Sequence, residues 1–257
     1  MKTESATAPL SFTEKLGYGL GDMASNFYMG FFGLFLLYYY TDVFGISPAA
    51  AATMLLLTKI VDAISDPAMG LIADRTESRW GRYRPYLLWA AVPYALLGYL
   101  LFLGPDLSDT GKLIWAYVTY TLVMLAYTAI NVPYSALLAV ISSVAEERTK
   151  ATQFRFVSAS LGTLAVGAFA TPLVRWFGGG DEVLGFRLTI ILFAVLSVVI
   201  FWFTFATTRE RIQPESHDSS IREDFSVLLA NVSWIVLVVT GILVVVGLIA
   251  RFASIVF

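Results

Sequence analysis

The 257-residue chain has no cysteine and a single histidine, His217. Disulfide frameworks, thiolate metal sites and clustered imidazoles are therefore excluded. An enzyme built on a His or Cys nucleophile–base pair lacks its parts, so no enzyme is expected. Charge is also scarce, at 14% of residues, where a soluble domain carries about 25%. The net charge of −2 gives no reason to expect a nucleic-acid partner. Gly17, Gly19 and Gly21 alternate, but without the strand-to-helix context of a dinucleotide site. No cofactor is expected. What the chain does have is apolar surface: 58% hydrophobic residues and a mean hydropathy of +0.73. That is enough to fill seven spans of about 20 residues each. A water-soluble globule and a disordered chain are both excluded, and the lipid bilayer becomes the expected surrounding.

Apolar runs fall at roughly 16–41, 50–73, 86–104, 112–140, 154–177, 186–207 and 227–257. They predict an all-α, polytopic membrane protein. Residues 1–15 read as a polar tail without the apolar core of a removable signal peptide. Residues 16–207 read as a six-helix bundle, 208–226 as a central loop and 227–257 as a seventh helix. Links are expected at 42–49, 74–85, 105–111, 142–153 and 178–185. Lys2, Lys15, Arg75, Arg79, Arg82, Arg84, Arg148, Lys150, Arg155, Arg209, Arg211 and Arg222 fall on one side of the spans. Only Lys112, Arg175 and Arg187 fall on the other. Twelve basic residues against three place the N-terminus in the cytoplasm by the positive-inside rule.

Three charges interrupt the second run, where an ionised group costs at least about 2.5–3.5 kcal/mol. Lys59, Asp62 and Asp66 are spaced i, i+3, i+7 and share one helical face. Carboxylates one turn apart repel unless a proton or cation lies between them. An internal ion pair with Lys59 is the simpler reading, yet it leaves one carboxylate over. Oxygen ligands on one turn suit a hard cation. Asp22 and Asn26 share a face of the first span, and Thr128 and Asn131 a face of the fourth, with Tyr127 and Ser135 close by. Pro133 frees a carbonyl there. Such polar groups serve either as packing glue or as ligands. Arg251 stands alone in the last run. In the link 74–85, Asp74 precedes Arg75, Arg79, Gly81 and Arg82. A solvated basic loop explains the arginines; a charge latch between helix ends also explains Asp74 and Gly81. Lys59 is grouped with these conformational residues.

The stretches Lys15–Asp22, Tyr38–Asp42, Asp62–Pro67 with Gly70, and Ser78–Arg82 occur in one order, followed by Asn131-Val-Pro133-Tyr134 and Gly178–Asp181. From Glu14 onward the chain thereby resembles the glycoside–pentoside–hexuronide:cation symporters, the melibiose-carrier family of the major facilitator superfamily. The resemblance implies symport of a sugar with Na⁺ or H⁺ by alternating access. It implies a monovalent-cation site at Asp62, Ser65, Asp66 and Thr128. It places a sugar site at Asn26, Tyr127, Asn131, Ser135 and Arg155, and the buried acid Asp22, one turn before Asn26, is grouped with them. The melibiose carriers have asparagine where this chain has Ser65, and acidic residues at Asn26 and Asn131. Their lysine and tryptophan positions hold Ser25 and Ser135 here. Amides still offer hydrogen bonds to hydroxyls, but the sugar and the cation stay unassigned.

Carriers of this kind close their cavity with a second six-helix half. The expectation is a fragment, an N-terminal bundle plus a seventh helix, in the inner (plasma) membrane. A lysolipid or other amphiphile transporter of the same superfamily is the alternative, and a seven-helix receptor-like protein the alternative from another class.

Overall fold

The computed structural model describes residues 7–212 and, beyond them, 230–233, 235–237, 239–241 and 243. The chain divides into two compact units, Met1–Pro214 and Glu215–Phe257. In the second unit every described residue except Asn231 is helical. The rest of the expected seventh span, Arg251, His217, Arg222, Lys2 and most of the central loop lie outside the described residues.

From Phe12 to Thr207 the described residues of the first unit form six helical rods, and their ends follow from local chemistry. Helix α1 (Phe12–Phe31) opens on a capping box: the Glu14 N–H donates to Ser11 Oγ (3.2 Å), and the Ser11 N–H to Glu14 Oε2 (2.9 Å). The same rod continues through two π-helical stretches, Phe32–Leu36 and Tyr39–Val43. Helix α2 (Pro48–Asp74) has Ser47 as its N-cap and Pro48 at its first turn, where a missing N–H costs nothing. Helices α3 (Arg84–Trp89) and α4 (Ala91–Leu101) make one bent rod. Pro93 has no N–H for the Trp89 carbonyl, which explains the break at Ala90. Helices α5 (Asp109–Ile141), α6 (Ala145–Gly178) and α7 (Glu182–Thr207) complete the set. Among the described residues there is no strand.

Two expected links are much shorter than the hydropathy edges suggested. The link at 142–153 shrinks to Ser142–Val144, because α6 already starts at Ala145. Its polar first turns are held by Lys150, which pairs with Glu146 (2.8 Å) and Glu147 (2.9 Å). The link at 178–185 shrinks to Gly179–Asp181, since the Asp181 carboxylate caps α7 through the Leu184 N–H (3.0 Å). The polar tail likewise ends earlier, with Phe12 already helical.

Among the described residues four helices, α2, α5, α6 and α7, are long and apolar enough to cross a membrane. The α-helical part of the first rod, Phe12–Phe31, is 20 residues long but too polar to qualify, its apolar continuation being π-helical, and the third rod is divided at Ala90. The first rod packs on α6 and α7, α2 packs on α5, and α4 packs on α5 and α7. Gly19 sits against the Phe154 main chain, where an added Cβ would lie 2.7 Å from the carbonyl carbon. This close approach brings Asp22 beside Arg155. Leu56, Leu57, Ile60, Ile64 and Ile72 leave one side of α2 apolar and exposed.

Candidate cation and sugar site

Two polar clusters join the rods. The first joins α2 to α5. The Asp66 carboxylate accepts the Thr128 hydroxyl at 2.8 Å, a bond across 62 residues of sequence. Thr128 is buried while Asp66 is exposed, so one side of this carboxylate stays open. One turn away, Asp62 Oδ2 pairs with Lys59 Nζ at 3.0 Å. Its other oxygen, Oδ1, is buried without any hydrogen-bond partner. Ser65 Oγ donates weakly to the Asp62 carbonyl at 3.4 Å. Lys59 is 66% exposed at its side chain, so its charge is well solvated and compensates Asp62 only in part. Asp66 and Thr128 are thus joined, Ser65 lies against the Asp62 main chain, and the two carboxylates stand one turn apart on α2. They offer hard oxygen donors, one of them a buried carboxylate oxygen with unmet demand.

The second cluster joins α1, α5 and α6. Arg155 Nε donates to Asp22 Oδ2 at 2.6 Å, and the same guanidinium reaches Ser135 Oγ at 3.3 Å. The guanidinium lies 4.9 Å from the centre of the Tyr134 ring. Tyr134 is fixed in turn by its hydroxyl, which donates to the Tyr18 carbonyl at 2.5 Å, and by stacking on the Tyr18 ring. The Asn26 amide is held at both ends: Nδ2 donates to the Asp22 carbonyl (2.8 Å), and Oδ1 accepts from Thr163 Oγ1 (3.2 Å). Asn131 is half-buried on the α5 face that carries Thr128 and Ser135. Tyr127 lies within electrostatic reach of Asp22, Arg155, Asp66 and Asp62.

The loop between α2 and α3 is held differently from the expected latch. Asp74 forms no ion pair among the described residues; its carboxylate accepts the Tyr83 hydroxyl at 2.7 Å. Burial, and then this hydrogen bond, push the Tyr83 phenol above its ordinary pKa. The anchor is Glu210, just past α7. Its carboxylate accepts the backbone N–H groups of Arg82 (2.8 Å), Tyr83 (2.7 Å) and Arg84 (3.0 Å) at the start of α3. Gly81, at φ +108°, lets the chain turn there, and a Cβ at this position would run into the Glu210 carboxylate. Arg75 and Arg82 have no ion-pair partner among the described residues, and Arg79 rests on the Trp80 ring at 4.1 Å.

Residues 17–257 match the family described as MFS/sugar transport protein. The inner membrane symporter YicJ of Escherichia coli is 42% identical over 225 residues, 88% of this chain and 49% of that protein. The isoprimeverose transporter of Lactiplantibacillus pentosus is 37% identical over 231 residues, 88% of this chain and 48% of its own length. A putative glycoside/cation symporter of E. coli, YagG, is 42% identical, also over 88% of this chain. The chain belongs to the glycoside–pentoside–hexuronide:cation symporters of the major facilitator superfamily. As a member of this symporter family it is a multi-pass membrane protein, and the family is one of transporters, not enzymes. The chain spans about half the length of the curated relatives it matches.

Four residues that hold these clusters and the loop have no site role in the sequence pattern: Tyr18, Tyr134, Thr163 and Glu210. Thr163 could have been found, because it lies eight residues after Arg155 and so about two turns along the same face. Glu210 carried no such signal, since its partners are main-chain groups more than a hundred residues away.

Proposed function

We propose that the whole protein is a cation-coupled sugar symporter and that this chain supplies its cation site and half of its sugar site. The six rods are then the N-terminal bundle of two inverted three-helix repeats, with the second unit beginning the other half. The observation that carries the reading is the pair of clusters: a carboxylate pair with an orphaned oxygen, and a hydroxyl-and-guanidinium cluster.

In this reading Na⁺ or a proton neutralises the Asp62 and Asp66 charges, and Thr128 and Ser65 supply neutral oxygens. Neutralisation lowers the cost of the α2 charges inside the membrane and fixes α2 against α5. Tyr127 and the α5 face then present ordered groups to the sugar. Linkage makes the effect reciprocal, so bound sugar also tightens the cation. Arg155 and Asp22 hold each other, and the fork of Arg155 offers donors to sugar hydroxyls. Asn26, oriented by Thr163, and Asn131 add amide groups. The N-terminus is cytoplasmic and the membrane is the inner (plasma) membrane, as the basic-residue asymmetry and the inner membrane symporter among the relatives support. Radiolabelled sugar uptake by cells expressing the intact gene tests this across a panel of sugars, with and without Na⁺ and across pH. Uptake of at least one glycoside or pentoside that depends on a cation supports it; uptake indifferent to both Na⁺ and protons would remove coupling from the account.

A further inference from the structure

Between α4 and α7 lies a crevice of about 410 Å³, lined by none of the residues of the polar clusters. Its walls are Ala95, Leu96 and Tyr99 on one side and Val195, Val199 and Trp202 on the other, and no polar atom faces it. The α7 wall runs from Ile191 to Trp202, which is about 16 Å of helix and roughly half the thickness of a hydrocarbon core. Leu96, Val195 and Val199 are more than half exposed, so the crevice opens to the outside of the rods.

One end of the crevice is aromatic and then basic. The Trp202 indole N–H donates to the Leu88 carbonyl at 3.3 Å. One turn further along α7, Phe205 lies under the Arg84 guanidinium at 4.6 Å and accepts its Nη2 at 2.6 Å through the main-chain carbonyl. Arg84 also donates to the Trp80 carbonyl at 3.2 Å, yet its Nε is buried with no partner. Trp80 meets Phe205 and Trp89 edge-on, and Arg79 stacks on Trp80. Among the described residues neither Arg79, Arg84 nor Arg209 forms an ion pair. Of the neighbouring carboxylates, Glu210 accepts three backbone amides, that of Arg84 among them, and acts on the Arg84 charge without pairing with it, while Asp74 accepts the Tyr83 hydroxyl.

We propose that this crevice and its basic rim bind an anionic phospholipid, one acyl chain between α4 and α7 and the phosphate at Arg79 and Arg84. A sugar would find no hydrogen bond in the crevice, whereas an acyl chain needs none. Leaving the bilayer gives the chain no hydrophobic gain, so its seat rests on packing against the two helices. The preference for one lipid over another comes from the guanidinium groups. An aromatic belt followed by arginine is the arrangement that meets a glycerophosphate at the edge of the hydrocarbon. The inference rests on the membrane placement of the family and is independent of which sugar or cation is carried.

The test is native mass spectrometry of the detergent-purified intact gene product, titrated with dioleoyl phosphatidylglycerol or dioleoyl phosphatidylcholine. The wild type should retain phosphatidylglycerol in preference. Arg79→Gln, a change at an exposed position, should cut that preference roughly fivefold, about the effect of one arginine at a membrane surface. Arg84→Gln should do the same if the protein stays folded by circular dichroism, and Arg79→Gln carries the test if it does not. Val195→Trp with Val199→Trp places bulk on the exposed lips of the crevice and should lower retention of both lipids. Equal retention of the two lipids by the wild type would overturn the proposal, as would unchanged retention in the double tryptophan variant.

Discussion

Replacing Glu210 with alanine should release the loop between α2 and α3 from the end of α7. Its carboxylate accepts three backbone N–H groups at 2.7–3.0 Å. A hydrogen bond to a charged acceptor contributes about 1.5–3 kcal/mol when it stands alone. The three share one partly exposed carboxylate, and water replaces part of what is lost, so about 3 kcal/mol is a reasonable total. That corresponds to a rise of roughly 150-fold in amide exchange at Arg82, Tyr83 and Arg84, if those amides exchange through local opening. Glu210→Gln keeps one acceptor oxygen and should fall between the two. Hydrogen–deuterium exchange on the peptide covering 78–88 is the assay, with a peptide from the middle of α5 as the internal control. Unchanged exchange at 82–84 in Glu210→Ala would refute the claim that Glu210 anchors this loop. A rise of equal size in the α5 control would also refute it, because the loss would then be global.

Other variants probe the remaining contacts. Gly81→Ala combines a positive φ with a collision against the Glu210 carboxylate, so it should lower thermal stability by about 1–3 kcal/mol, read by differential scanning fluorimetry; a neutral result would deny the turn its role. Thr128→Val removes the hydroxyl that Asp66 accepts and should weaken cation activation of uptake about tenfold, the effect of roughly one charge-assisted hydrogen bond; Thr128→Ser should restore it. Arg155→Lys keeps the charge but cannot span both Asp22 and Ser135, so sugar binding measured by calorimetry should fall about tenfold or more.

Much of this was legible in the sequence, for identifiable reasons. Asp62 and Asp66 were conspicuous because a charge in an apolar run is expensive enough to demand an explanation. Their spacing placed them on one face, and the structure puts Ser65 and Thr128 beside them. The Asp22–Arg155 pair could not be read from spacing, since it joins residues 133 apart through the close approach at Gly19. Helix ends were misjudged where hydropathy and helix propensity part company. The charged start of α6 is helical because its ion pairs and the Glu147 contact with Lys15 (2.8 Å) hold it, although it is not apolar. The reading of Asp74 as a bridging charge gave way to Glu210, an anchor whose partners are backbone amides and leave no trace in side-chain patterning.

The central claim is that Asp62 and Asp66 form the coupling-cation site, and the most direct test measures sugar affinity with and without the cation. Calorimetric titration of the intact gene product with its transported sugar should show affinity raised by Na⁺ or by protons, within the 5–150-fold range usual for coupled sites. In Asp62→Asn and Asp66→Asn the sugar should still bind weakly, and the cation should no longer change its affinity. Full cation enhancement in both variants would contradict the account and move the coupling site elsewhere.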